Sequence, residues 1–138
     1  MSDEPELIAI LHAAHAAGDE VEAKLNEIGL SWPKLSALRV LADAGESLPL
    51  GQLAERLSCV KSNITQLVDR LEAEGFVARQ PDPRDRRTKL AALTAAGRKA
   101  VKEGTRVQQA AEREVLGRLT RDEAQQLSAL LAKMGRAS

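Results

Sequence analysis

Aromatic residues are almost missing from this 138-residue chain, which has one tryptophan (Trp32), one phenylalanine (Phe76) and no tyrosine. This scarcity disfavours a binding site built on stacked rings, such as those that hold single-stranded RNA. The one cysteine, Cys59, cannot form an internal disulfide, which is typical of a reducing compartment. No hydrophobic run approaches the ~18 residues of a membrane span, and the acidic N-terminus lacks the basic segment of a secretory signal. We therefore expect a cytoplasmic protein without a membrane partner.

The usual signatures of an enzyme are also missing from the sequence. It has no glycine-rich phosphate loop, no nucleophile motif and only two histidines, His12 and His15. These histidines are three positions apart on one helical face, a spacing that can hold a metal, but no cluster of Cys, Asp or Glu completes the ligand set. We expect surface or structural histidines, no metal, no cofactor and no catalytic activity.

The charge is balanced overall but unevenly distributed along the chain. Residues 1–60 hold 4 Lys/Arg and 10 Asp/Glu, whereas residues 61–106 hold 11 and 6. The middle third is therefore a positive region between an acidic head and a nearly neutral tail. Because the local field decides whether a surface attracts phosphate, a net charge of zero does not exclude nucleic acid as a partner.

Long amphipathic helices are predicted at both ends of the chain. The first covers residues 4–28, and its small and apolar residues form a heptad seam that must be buried, in this domain or against a partner chain. Thr94 or Ala95 begins a helix to about Gly117, and Thr120 and Glu123 form the capping box of a last helix. We expect Leu127, Leu130, Leu131 and Met134 to be the buried stripe of that helix.

The middle of the chain predicts two helices joined by a short turn, followed by a hairpin. Helices are expected at 31–44, with Ser31 as N-cap, at 50–57 and at 61–74, and strands at 76–80 and 88–94. Two prolines should keep the charged loop 81–87 out of the strand ladder. The fold class is therefore mainly α with a small β-hairpin wing, in which a winged helix-turn-helix lobe lies between flanking helices.

The helix at 61–74 has a polar outer face that suits the major groove of duplex DNA. Its apolar residues share one side, and its other side carries short hydrogen-bonding groups and positive charge that match base edges and phosphates. A solvated face is the plain alternative for this helix taken alone. The candidate readers of DNA are Lys61, Ser62, Asn63, Thr65, Gln66 and Arg70.

The hairpin loop carries a dense cluster of arginines immediately after this helix. Arginine is favoured in a narrow minor groove, whose potential is strongly negative. Because an aspartate would repel phosphate there, we expect Asp85 to hold Arg87 by a local ion pair. The candidate wing residues are Arg84, Asp85, Arg86, Arg87 and Lys89.

The same segments resemble the MarR family of bacterial transcriptional regulators. The motifs are Leu53-Ala-Glu-Arg-Leu57, Ile64 to Gly75, Arg79, Asp82-Pro-Arg-Asp-Arg-Arg-Thr88 and Leu93-Thr-Ala-Ala-Gly-Arg98. The resemblance implies a homodimeric repressor on double-stranded DNA with a palindromic operator, and a wing arginine, here Arg87, in the minor groove. It also implies one domain over residues 1–138, with dimerisation helices at 1–30 and 95–138 and the DNA-binding lobe at 31–94.

Members of this family commonly respond to a small molecule bound between the dimer helices and the DNA-binding lobe. The resemblance places His12, His15, Trp32 and Arg39 at that effector pocket. Two alternatives stay open. Oxidation of Cys59, in the turn before the recognition helix, could control DNA binding instead, or the chain could be an architectural or protein-interaction module without a specific operator.

Overall fold

The computed structural model describes residues 6–57 and 61–135, and Lys61 and Ser62 enter only through their place in a helix. Within these residues the chain forms six helices and a three-stranded antiparallel sheet. The elements in chain order are α1 (Leu7–Asn26), α2 (Trp32–Ala44), β1 (Leu48–Pro49), α3 (Leu50–Leu57), α4 (Lys61–Ala73), β2 (Val77–Asp82), β3 (Asp85–Leu93), α5 (Ala95–Leu116) and α6 (Arg121–Gly135).

Side-chain caps begin three of these helices, and two of the caps, Ser31 and Thr120, are those that the sequence predicted. The Ser31 hydroxyl accepts the N–H of Lys34 at 3.3 Å, and the Thr94 hydroxyl accepts the N–H of Gly97 at 3.0 Å. At α6, the N–H of Thr120 donates to Glu123, and the N–H of Glu123 donates to the Thr120 hydroxyl. Each cap satisfies N–H groups that have no partner inside the helix, so the sequence defines where these helices start.

The core lies where α2, α3 and α4 pack together against β3 and α5. Its largest members are leucine, isoleucine and valine side chains, each of which contributes about 1.5–3 kcal/mol when fully buried. The largest fully buried side chains from these three helices are Leu35, Leu38, Leu41, Leu53, Ile64, Val68 and Leu71. This core fixes α4 by its apolar side and leaves its other side in solvent.

The sheet differs from the predicted hairpin in two ways. Strand β2 continues through Pro81 and Asp82, so the expectation that residues 81–87 stay outside the ladder is wrong, and the turn shrinks to Pro83 and Arg84. Pro81 is tolerated because β2 is an edge strand, and a register irregularity follows it between Pro81 and Asp82. The second difference is β1, a two-residue edge strand that pairs with β3 and that no sequence pattern indicated.

The heptad seam of α1 is buried along only half of its length. Val21 and Leu25 are buried where α1 packs on α5, whereas Leu7 and Leu11 are 65% and 45% exposed. Helix α6 buries no residue at all, so the prediction that its apolar stripe is buried is wrong for a single chain. Among the described residues, no helix is both long and apolar enough to cross a membrane.

Candidate nucleic-acid interface

Helix α4 presents a polar surface because helical periodicity directs its apolar residues inward. Ile64, Val68 and Leu71 have no exposed surface, and the polar side chains between them are exposed. Of the predicted readers, Asn63, Thr65, Gln66 and Arg70 are exposed, and Lys61 and Ser62 lie in the first turn of the helix. The exposed groups include the amides of Asn63 and Gln66, each of which can form two hydrogen bonds to adenine. They also include the Thr65 hydroxyl, which can donate or accept a hydrogen bond.

Arg79 links this helix to the hairpin. Its guanidinium forms an ion pair with Asp69 and donates to the carbonyl of Thr65 at 3.4 Å. Its backbone N–H donates to the Glu72 carboxylate at 3.1 Å, and its Nε atom is buried without a hydrogen-bond partner. Arg79 therefore sets the position of α4 relative to β2.

Sequence reasoning gave Arg79 no role beyond its part in a family motif. A signal was nevertheless available. Asp69 and Glu72 are three positions apart on one helix and lie one short turn before Arg79 in the chain. Residues at this spacing share a helix face, so two carboxylates there can hold one arginine from the next strand.

The end of α4 is shaped by a glycine turn that leads directly into β2. Gly75 has a φ of +84°, which favours glycine, and the N–H of Phe76 donates to the carbonyl of Leu71 at 2.9 Å. The carbonyl of Phe76 in turn accepts the N–H of Thr94, at the start of α5. Phe76 therefore connects the recognition helix to the first turn of α5.

Both aspartates of the wing are used to shape its backbone. Asp82 accepts the N–H of Arg84 at 2.9 Å, and Asp85 accepts the N–H of Arg87 at 3.0 Å and the Thr88 hydroxyl at 3.3 Å. The predicted ion pair between Asp85 and Arg87 is wrong, because the carboxylate binds the backbone rather than the guanidinium. Short aspartates favour such bonds to N–H groups two residues later, which pre-form a turn.

The cations of the wing keep their charge uncompensated. Arg84, Asp85, Arg86, Arg87 and Lys89 are all exposed. Among the described residues, no carboxylate lies within 4.0 Å of the charged groups of the three arginines or Lys89. A stiff hairpin with three guanidinium groups near its tip can reach into a groove and bind phosphate or a negative groove floor.

The four predicted effector residues lie on α1 and α2, and no hydrogen bond or ion pair of the described residues joins any two of them. His12 and His15 are exposed on α1, on the N-terminal side of Glu20. Glu20 in turn accepts a hydrogen bond from Arg118, which lies just after the end of α5. Trp32 and Arg39 are half-buried on α2. Cys59, the predicted redox residue, lies outside the described residues.

Arg39 has a defined role as a bridge between α2 and α5. Its guanidinium donates to the hydroxyl of Thr105 and the side-chain oxygen of Gln108, and Gln108 donates onward to Glu112. The direct partners of Arg39 are neutral. A half-buried cation with neutral partners is able to accept an anionic group from a ligand.

Comparison with known proteins agrees with this geometry. The MarR family model matches residues 30–89. The HTH-type transcriptional repressor Rv2887 of Mycobacterium tuberculosis is 34% identical over 116 residues, which cover 84% of this chain and 83% of that protein. The Escherichia coli regulator HosA is 30% identical over 105 residues, with 76% and 77% covered.

Two solved structures of DNA complexes share the fold. The Rv2887–DNA complex superimposes with a TM-score of 0.75 at 30% identity and covers 96% of this chain and 99% of that one. A mutant Escherichia coli MarR bound to operator DNA gives a TM-score of 0.78 at 26% identity, with 91% and 90% covered. These likenesses confirm the predicted winged helix-turn-helix fold.

Proposed function

This chain belongs to the MarR family of DNA-binding transcriptional regulators, and we propose that it works as a homodimeric repressor on a palindromic operator. The observation that carries the proposal is the wing, whose aspartates hold the backbone while its three arginines keep their charges exposed. Such a hairpin supplies the electrostatic attraction that phosphates and a narrow minor groove require.

The two elements of the interface have different tasks. The exposed side of α4 enters the major groove, where Asn63, Thr65 and Gln66 read base edges and Lys61, Ser62 and Arg70 contact phosphates or bases. The wing enters the adjacent minor groove, where Arg87 is the principal contact, supported by Arg84, Arg86 and Lys89. Asp85 stabilises the wing backbone at Arg87 by accepting its N–H.

The exposed apolar residues support a dimer. Leu7, Ile8 and Leu11 of α1, Leu116 at the end of α5, and the α6 stripe all face solvent in the single chain. Apolar surface concentrated in this way marks a protein interface. A second copy with the same surface would bury it by two-fold symmetry, and two-fold symmetry in the protein requires a palindrome in the DNA.

A small-molecule effector would act at the joint between the lobe and the long helices. Arg39 ties α2 to Thr105 and Gln108 on α5. An anionic ligand that binds Arg39 would replace these bonds and shift the lobe, and a dimer could bring His12 and His15 of the second copy toward the same place. The architectural alternative has no comparable observation in its favour among the described residues, and Cys59 lies outside them.

Selection of bound duplexes from a random pool tests the function. The full chain should recover a palindrome whose half-sites lie about 10 bp apart, one turn of the double helix. Arg87→Ala should lose roughly 1–3 kcal/mol of binding free energy, mostly at A·T-flanked sites, and Gln66→Ala should relax one symmetric pair of positions. Recovery of duplexes with no shared sequence would favour the architectural module.

A further inference from the structure

An ion pair joins the start of α2 to the end of α4, apart from the contacts described above. The Nζ atom of Lys34, in the first turn of α2, lies 2.6 Å from Oε1 of Glu74, which directly follows α4. The two side chains are 17% and 37% exposed, so this pair is better shielded from solvent than that of Glu20 with Arg118. Helix dipoles favour a cation at the end of a helix and an anion at its start, so each charge suits the helix that it reaches.

The turn that carries Lys34 is itself fixed to α1. The N–H of Trp32 donates to the Glu22 carboxylate of α1 at 3.0 Å, and both residues are half-buried. The N–H of the lysine donates to the Ser31 hydroxyl at 3.3 Å. Both N–H groups belong to the first turn of α2, where a helix offers them no internal partner. These bonds hold the corner between α1 and α2, and Lys34 extends that corner to Glu74 at the end of α4.

This link connects α4 to a different part of the molecule than Arg79 does. Arg79 fixes α4 to β2, which belongs to the same lobe. Lys34 fixes α4 to α2 and, through the bond of Glu22, to α1, which carries part of the exposed apolar surface that supports the dimer. Helix α2 packs chiefly on α5 and α3 and only lightly on α4, so the ion pair is a major part of the α2–α4 contact. In a dimer joined through α1, the position of α4 relative to α1 sets the separation of the two recognition helices.

We propose that Lys34 and Glu74 are positioning residues that hold the recognition helix for DNA half-sites at one fixed spacing. Both act through α4 rather than by contact with DNA. With the pair intact, α4 moves together with α1, so the two recognition helices of a dimer keep one separation and one orientation. Without the pair, the end of α4 can shift, and half-sites at other spacings become acceptable. The inference rests on the proposed reading of a palindrome by a dimer, and it adds which residues set the tolerated spacing.

Fluorescence anisotropy with three duplexes tests this role. The duplexes are the palindrome recovered from the random pool and two versions with one base pair added or removed between the half-sites, which rotates one half-site by about a tenth of a helical turn. The wild type should bind the altered duplexes at least about tenfold more weakly than the palindrome. Lys34→Gln and Glu74→Gln should each reduce this spacing penalty to about threefold or less. The two changes together should reduce it no further, because either one alone already breaks the pair.

Charge alone cannot produce this result. Glu74→Gln removes a negative charge, which by electrostatics should strengthen binding to all three duplexes alike and leave the spacing penalty unchanged. Glu55→Gln, which removes the same charge from an exposed position on α3, is the control and should keep the wild-type penalty. The exchange Lys34→Glu with Glu74→Lys restores an ion pair and should restore the penalty. A wild-type penalty in both glutamine variants would overturn the proposal, whereas equal wild-type affinity for the palindrome and a scrambled duplex would refute the dimeric reader itself.

Hydrogen exchange of the free protein tests the link without DNA. The N–H groups of Glu74, Gly75 and Phe76 close the end of α4 by donating to carbonyls of its last turns. Lys34→Gln should speed their exchange at least about threefold, because the end of the helix loses its connection to α2. Lys24→Gln, which breaks a more exposed ion pair on α1, should leave their exchange unchanged. Unchanged exchange in Lys34→Gln would overturn the proposal whatever the protein does with DNA.

Discussion

Of the two glycines buried in α5, Gly97 leaves the less room for a side chain. A Cβ atom there would lie 2.1 Å from the carbonyl oxygen of Phe76, a distance that real Cβ atoms do not adopt. The same carbonyl accepts the N–H of Thr94, so it cannot move without loss of that bond. The absence of a side chain at Gly97 is therefore what allows α5 to start against the turn after α4.

Gly97→Ala should destabilise the fold by about 1–3 kcal/mol, the usual cost of an overpacked core. Gly104→Ala should cost less, because its added methyl meets the ends of Leu30 and Leu35, which can rotate. Gly51→Ala, in open space on α3, is the control and should be neutral or stabilising by up to ~1 kcal/mol. Urea unfolding measures all three, and equal effects at Gly97 and Gly51 would show that the close contact is absent.

Arg79 is predicted to act on DNA binding through the position of α4 rather than by contact. Arg79→Gln removes the ion pair with Asp69 and should cost roughly 1–3 kcal/mol of stability. The affinity of the Arg79→Gln variant for a specific duplex should fall as well. The control is Arg113→Gln on α5, which removes an equal charge and should change stability and DNA affinity less.

A double-mutant cycle with Asp69→Asn separates positioning from direct contact. If Arg79 acts through Asp69, the two changes together should weaken DNA binding no more than Arg79→Gln alone. Additive losses of DNA affinity would show that Arg79 contacts the DNA itself, contrary to this interpretation.

At the residue scale, the sequence predicted which side chains are exposed better than it predicted their partners. Composition and spacing predicted that Arg87 is exposed, and the structure agrees, although Arg87 lies in strand β3 and not in a loop. The partner of Asp85 was wrong because a charge pattern suggests a side-chain ion pair, whereas a turn also offers N–H groups at shorter range. Arg79 was missed because its partners become neighbours only after the chain reverses at Gly75.

At the scale of elements, an ion pair ties the segment just after α5 to α1. Arg118 donates two hydrogen bonds to the Glu20 carboxylate, at 3.0 and 2.7 Å. These bonds, more than the Coulomb attraction of Arg118, lower the pKa of Glu20 below its ordinary value. Both side chains are about half exposed, so the pair orients the helices more than it stabilises them.

The lowered pKa of Glu20 predicts a specific pH dependence of stability. A carboxylate whose pKa is depressed on folding stabilises the fold above its ordinary value of 4.5 and loses this effect as the pH falls through the lower, folded value. The difference in unfolding free energy between the wild type and Glu20→Gln should therefore shrink as the pH falls from about 6 to about 3. Asp19→Asn is the control, and a constant difference across that range would contradict the prediction.

The start of a helix was easier to predict than the length of a strand. Ser31, Thr94 and Thr120 define helix starts because a cap depends on residues within one turn of each other. The strands depend on neighbours far apart in sequence. Pro81 is incompatible with a central strand but is tolerated in an edge strand. Only the strand order β1-β3-β2 shows that β2 is at the edge, and the sequence alone does not give this order.

At the scale of the whole molecule, the exposed apolar surface predicts a dimer that depends on α6. Leu130 is 63% exposed in the single chain, so Leu130→Glu should leave the fold of the chain intact and weaken self-association at least about tenfold. Gln125→Glu, which adds the same charge on the opposite side of α6, should leave association unchanged. Sedimentation equilibrium measures both variants, and equal association constants would exclude the α6 stripe from the interface.

The sequence predicted the apolar stripes of the terminal helices but not what covers them. A heptad seam requires burial, yet the spacing is the same whether the covering surface is in the same chain or in another. In α1 both outcomes occur on one seam, since Leu25 is buried in this chain and Leu7 is 65% exposed. Only the three-dimensional packing distinguishes them.

The most direct test of the proposed function is the affinity of the full chain for duplexes as a function of salt. Fluorescence anisotropy would compare the palindrome recovered from the random pool with a scrambled duplex of equal length between about 50 and 200 mM salt. We predict two copies per palindrome, at least a ~10³-fold preference for it and a steep loss of affinity as salt rises. One copy per duplex, or equal affinity for both sequences, would contradict the proposed dimeric reader of DNA.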